Sequence, residues 1–136
     1  MRAMLTVIQS HWSKPARWQY QNKSLGQLLL MYGLSAHTMR KYLKARCLMA
    51  TDSAFASILM DLPQVYDGVS TDLDAIDGID TRLWAYTKFY IFRRYGAIPH
   101  MLQIDTDVFF WDEMFDPIKS FSEECFFRDE CLELFR

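Results

Sequence analysis

Three short apolar runs, each rich in β-forming side chains and each ending on polar or acidic residues, restrict the fold of this chain more than any other feature. They are "MLTVIQS" from Met4 to Ser10, "ARCLMATD" from Ala45 to Asp52, and "IPHMLQIDTDVFFWD", which ends at Asp112. The segments between them are helical in pattern. "KSLGQLLLMYGLSAHTMRKYL" follows a capping Ser24 with closely spaced leucines; Gly33 is expected to end that helix and Ser35 to cap a short second one. "SAFASILMDLP" reads as a helix stopped before Pro63. "QVYDGVSTDLDAIDGID" predicts a short strand around Val65 and Tyr66, then an acidic turn region. Asp80 is placed to cap "TRLWAYTKFYIFRRYG", Thr81 to Gly96, a helix whose apolar residues cover much of its circumference and which is therefore expected to be well buried. A last helix is expected in "PIKSFSEECFFRDECLELFR".

Strands alternating with helices favour neighbours that run in the same direction, because a crossover through a helix returns the chain to the same end of the sheet. The expected fold is α/β, with a mostly parallel, Rossmann-like sheet flanked by helices, in a single domain over residues 1–136. An apolar fraction of 51% is enough for one sizeable core. A net charge of −2 lacks the broad basic field that non-specific nucleic-acid binding uses, so nucleic acid is not an expected partner. The opening apolar run is too brief for a signal-peptide core and no stretch approaches a transmembrane length, which points to a cytoplasmic chain. Cys47, Cys125 and Cys131 lack CxxC spacing and read as reduced, buried thiols.

In open parallel sheets, ligands gather at the carboxyl ends of strands. Asp52 falls at one such end, the pair Asp105 and Asp107 at another, and the loop from Ser10 to Trp18 follows a third. In an extended segment, residues i and i+2 share a face, so the two aspartates would converge while Thr106 points away. Carboxylates that close repel unless one is protonated, solvent screens them, or a cation binds between them. The apolar flank argues against full solvation and for a hard cation, Mg²⁺ or Mn²⁺. A second pair, Asp72 and Asp74, shows that the bare spacing is common; with Ile76 and Asp77 in the wrong places it fails the calcium-loop pattern and reads as a solvated turn. Asp112, Glu113 and Asp116 read as loop and cap residues. His11 and His100 are expected to be hydrogen-bonded structural histidines, and Trp84, Phe89, Phe92, Phe109, Phe110 and Trp111 mainly core.

"LWAYTKFYIFRRYGAIPHMLQIDTDVFFWDEMF" resembles the central segment of GT-A-fold glycosyltransferases, in which a helix precedes an apolar strand carrying DxD. "VIQSHWSKP" resembles the opening strand and nucleotide-facing loop of that family, "LMATDSAFASILMDLP" its second strand and helix, and "VYDGVSTDLD" the turn beside base and ribose. The resemblance implies transfer of a sugar from a nucleotide-diphospho-sugar to a glycan, lipid or protein acceptor. Asp107 would ligate Mn²⁺ or Mg²⁺, and Asp105 would contact the metal or the ribose. Lys88 would face the donor; Gln9, Ser10 and Trp12 would line base or ribose, and Asp52 would belong to the donor side. On this resemblance the chain would correspond to the N-terminal part of the larger family domain, with the acceptor-side elements shortened or missing, which raises the expectation of self-association and names no catalytic base. "QIDTDVFF" also resembles the first motif of haloacid-dehalogenase-like phosphatases, in which Asp105 would be the nucleophile. A non-catalytic sugar-nucleotide-binding or interaction domain is the third reading.

Overall fold

The structure is a computed structural model, and it describes residues 4–15, 23–61 and 64–112. Strand β1, Thr6–His11, leads into helix α1, Leu25–Leu43, and then β2, Arg46–Thr51. Helix α2, Ser53–Met60, precedes the short β3, Gly68–Ser70. Two 3-10 turns, Asp72–Ile76 and Thr81–Leu83, lead into α3, Tyr86–Tyr95, and β4, Met101–Gln103.

The four strands form one sheet in the order β3-β2-β1-β4, and every pairing is parallel. Thr6 lies opposite Arg46 on one side and Met101 on the other, so β1 is the central strand through which both halves are registered. Because side chains alternate across a strand, Leu5, Val7, Gln9 and His11 face one way and Thr6, Ile8 and Ser10 the other. Leu5 and Val7 join Cys47 and Met49 of β2 in a core closed by Leu28, Tyr32, Ala36 and Met39 of α1 and Phe55 and Leu59 of α2. On the opposite face Ile8 and Ala50 pack with Trp12, Leu73, Ile76 and Ile91 of α3. Both faces are thus covered, which is why β1 and β2 read as nearly continuous apolar runs. The chain moves outward from β1 to β2 to β3 over α1 and α2, then back past β1 to β4 over α3. Crossovers of one hand put the returning helix on the other face.

Several local expectations are revised. Helix α1 is continuous through Gly33 and Ser35. Ser24 caps it as expected, in a reciprocal box with Gln27. A helical glycine costs only about 1 kcal/mol against alanine, and the packing of this helix against the sheet outweighs that. The Ser35 hydroxyl serves no cap, since it donates instead to the carbonyl of Val108 at 2.6 Å. The third strand falls a few residues later than Val65 and Tyr66, at Gly68–Ser70. Asp80 caps a 3-10 turn, and α3 begins only at Tyr86.

The expectation of a well-buried α3 with aromatic core residues does not hold. Only Thr87 and Ile91, one turn apart, are buried, while Trp84, Phe89 and Phe92 are exposed, Trp111 is strongly so, and Phe109 and Phe110 are half-buried. A helix lying on a sheet needs only a narrow stripe: Ile91 enters the core, Tyr90 and Tyr95 pack against it half-buried, and Tyr86, Phe89 and Phe92 stay exposed. Cys47 is buried and its thiol is free. The expected last helix, Cys125, Cys131, Glu113, Asp116 and Trp18 lie outside the described residues. No helix among the described residues is long and apolar enough to cross a membrane.

Candidate functional site

The strand order reverses at β1: successive strands step one way to β3, then β4 is added on the other side. The carboxyl ends of β1 and β4 therefore diverge into loops with a crevice between them, the place where open parallel sheets bind ligands. A cleft of about 370 Å³ lies there. Ser10, His11, Trp12 and Pro15 line it from β1 and its loop, and Asp105, Thr106 and Asp107 line it from beyond β4. Met31 of α1 and Trp84, Thr87 and Lys88 at α3 complete the wall, with Lys23 at its rim.

The acidic pair does not sit on a strand. β4 ends at Gln103, the ladder extends by one bond from Ile104 N–H to the Ile8 carbonyl, and the chain then turns, with Val108 N–H donating to the Asp105 carbonyl. Thr106 is buried, while Asp105 and Asp107 are exposed on the cleft. The extended-strand reason for their sharing a face is thus replaced: a turn, with the small Thr106 tucked inward, presents both carboxylates to the same cavity.

That turn is fixed from beneath. Gln9, fully buried in β1, donates its side-chain amide to the Asp105 carbonyl at 3.0 Å and to the Ser35 hydroxyl at 2.8 Å, and its oxygen accepts from the Tyr66 hydroxyl at 2.8 Å. Ser35 holds the Val108 carbonyl, and the Thr38 hydroxyl accepts from the Phe110 amide at 3.2 Å. Gln9 accordingly lies under the cleft, outside its lining, as a support of the acidic loop. In the sequence Ser35 reads only as a helix cap, and Thr38 does not stand out. Their spacing of three on one helix, which places them on a common face, was the available signal.

Asp52 also lies outside the cleft lining. Its carboxylate caps α2, accepting from Phe55 N–H at 3.0 Å, and its other oxygen accepts from Ser13 N–H at 2.6 Å. Both oxygens hold backbone, so this residue anchors the loop that forms the cleft's β1 wall. Trp12 is nearly fully buried within the second core and still lines the cleft, combining the packing and lining roles. His11 is buried with its ring centroid 3.8 Å from that of Phe55 and its Nδ1 2.6 Å from the Tyr32 hydroxyl. Burial lowers its pKa to about 4, against the upward pull of Asp52. The carbonyl of His100, at φ 54°, accepts from Thr6 N–H.

Lys88 is the charged partner of the site. Its ammonium is 2.7 Å from Asp105 Oδ2 and 5.7 Å from the centroid of the Trp84 ring, one helical turn earlier. The second acidic pair is occupied elsewhere: Asp74 accepts from the Ser53 amide and hydroxyl, and Asp72 accepts from the Ser70 and Tyr95 hydroxyls and lies near Arg94. Asp77 pairs with Lys14. These acids tie loops together, a more specific role than the solvated turn expected of them.

No set of three or more His, Cys, Asp or Glu side chains among the described residues could hold a metal by itself. The cleft offers two carboxylates. That donor set suits Mg²⁺ or Mn²⁺ shared with phosphate oxygens and water, since such ions commonly take only one or two protein carboxylates when a phosphorylated ligand supplies the rest. Fold and cleft together define an α/β domain with a parallel sheet and, at its switch point, a crevice lined by two carboxylates and two lysines. The chain belongs to a family of unknown function, DUF6734, whose model matches residues 5–123. Comparison with curated proteins and with solved structures gave no match.

Proposed function

We propose that this chain is a GT-A-like domain that binds a nucleotide-diphospho-sugar through a divalent cation at Asp105 and Asp107, in a glycosyltransferase acting on a glycan, lipid or protein acceptor. The observation that carries this reading is the meeting of the two carboxylates and Lys88 in one cleft at the sheet's switch point. A cation there would stabilise the negative charge that develops on a departing diphosphate. Asp107 and Asp105 hold it, and Lys88 adds a positive charge from the opposite wall. Ser10 and Trp12 line the base and ribose end, with Trp12 and Trp84 excluding water. Gln9 and Ser35 hold the acidic loop still, and Asp52 fixes the β1 loop. The reading includes a cytoplasmic location, with which the free, buried Cys47 thiol accords.

A thermal-shift panel of UDP, GDP and CDP, each with and without Mn²⁺, tests it. One nucleotide should raise the melting temperature by several degrees only with metal, and Asp107→Ala should abolish the rise. If no nucleotide shifts the wild type in the presence of metal, donor binding is wrong. Sugar transfer would distinguish an enzyme from a binder. Phosphate release from a phosphomonoester, lost in Asp105→Asn, would instead support the aspartyl phosphatase.

A further inference from the structure

We propose that Lys88 is a built-in counter-ion that neutralises Asp105 in the protein alone and passes to the phosphates when a divalent cation arrives together with a nucleoside diphosphate. This inference rests on the nucleotide-binding reading above and assigns Lys88 a role in selecting the complex over the bare metal.

The geometry places one ammonium where a cation would go. Lys88 Nζ lies 2.7 Å from Asp105 Oδ2, in the cleft that Asp107 also lines. A metal bound through that oxygen displaces Lys88, and one bound through Oδ1 shares the carboxylate with an ammonium that repels it. The exchange is cheap, because the two side chains are 41% and 53% exposed, and an ion pair that open to solvent weakens a competitor by less than about fivefold. The lysine also has somewhere to go. Its flexible stem sits one turn beyond Trp84, whose ring centroid is 5.7 Å from Nζ, so the ammonium can leave the carboxylate and remain at the cleft wall against an aromatic face.

Charge balance then decides what binds. Asp105 and Asp107 supply two negative charges, Lys88 beside Asp105 removes half of that field and Lys23 lowers the remainder, so a bare divalent ion is attracted only weakly. A cation carrying a diphosphate brings its own negative charge, which gives the displaced ammonium a partner stronger than the carboxylate it left. Lys88 should therefore act in opposite directions on the two ligands, opposing the metal alone and favouring the metal with diphosphate. A merely structural lysine would move neither selectively.

The test measures Mn²⁺ alone by electron paramagnetic resonance, and UDP, GDP and CDP at saturating Mn²⁺ by calorimetry, on wild type, Lys88→Met and Lys88→Arg. Methionine keeps an apolar stem without the charge. Lys88→Met should bind bare Mn²⁺ about two- to fivefold more tightly and the preferred nucleoside diphosphate about tenfold more weakly, and Lys88→Arg should stay near wild type on both. Circular dichroism melting confirms that the variants fold. If wild type binds Mn²⁺ and a nucleotide but Lys88→Met changes both affinities in the same direction, or neither, the exchange is refuted while the nucleotide site stands. If wild type binds no nucleotide with Mn²⁺, the underlying site is refuted and the exchange with it.

Discussion

Gln9 donates its side-chain amide to the main-chain carbonyl of Asp105 at 3.0 Å, across 96 residues of sequence. The same buried side chain bonds Ser35 on α1 and accepts from Tyr66 before β3. One residue of the central strand thus joins the acidic loop, the first helix and the far side of the sheet. A buried amide satisfied at both ends sets the position of everything it touches, because any shift leaves polar atoms unpaired.

Gln9→Leu preserves approximate volume and removes all three bonds, leaving the Asp105 carbonyl with the Val108 amide and without its donor from the central strand. The expected loss is about 2–4 kcal/mol of stability, together with weaker Mn²⁺-dependent nucleotide binding. Urea unfolding measures the first and calorimetry the second. Unchanged nucleotide affinity in a folded Gln9→Leu protein would mean that the acidic loop keeps its position without this support.

Asp52 has two separable duties, the cap on Phe55 N–H and the bond to Ser13 N–H. Asp52→Asn can retain one acceptor oxygen at the cap, but its amide nitrogen cannot accept from the other amide. We expect Asn to cost about 1 kcal/mol and Ala about 2 kcal/mol or more, read from urea denaturation midpoints. A loss near zero in Asp52→Asn would show that the Ser13 contact carries nothing, and equal losses in the two variants would show the same of the cap.

Much of this architecture was legible in the sequence. β1 and β2 announced themselves as apolar runs because both their faces are buried, and Ser24 announced the start of α1 through local capping chemistry that needs no tertiary information. Asp105 and Asp107 were legible as a pair at the end of an apolar segment. What the sequence hid depends on contacts between distant segments. Ser35 resembles a cap until the loop after β4 is in place to accept its hydrogen bond, and Gly33 resembles a stop until the sheet holds the helix across it. Gln9 and Asp52 were recognised as important, but nothing local tells whether a polar side chain at a strand end turns outward to a ligand or inward to backbone. The exposed aromatics of α3 misled for a related reason, since composition around a helix does not say which stripe the sheet will use.

The two DxD pairs provide an internal control. The Asp74 pKa is lowered by its bonds from Ser53, and Asp72 accepts from the Tyr95 hydroxyl. Asp72→Asn and Asp74→Asn should lower the melting temperature modestly and leave Mn²⁺-dependent nucleotide affinity within about twofold of wild type, since neither lines the cleft. Asp107→Asn should leave melting nearly unchanged and weaken that affinity by at least tenfold, the effect expected of removing one of the two proposed anionic metal ligands. Loss of nucleotide binding on altering Asp72 or Asp74 would move the site away from the β1/β4 crevice.

His11 couples the fold beneath the cleft to pH. Burial against Tyr32 and Phe55 favours the neutral imidazole and lowers its pKa from 6.5 to about 4. The unfolded chain therefore binds the proton first as pH falls. The stabilisation is fully present above pH 6.5 and is lost progressively as pH drops toward 4, with a total on the order of 3 kcal/mol. Urea unfolding of the wild type should show stability falling between pH 6.5 and pH 4.5, ahead of most carboxylate titration. His11→Gln, which has no ionisable group, should be less stable at pH 7 but much flatter across that interval. A wild-type profile that stays level or rises as pH falls through it would show that the imidazole is not held neutral in the folded protein.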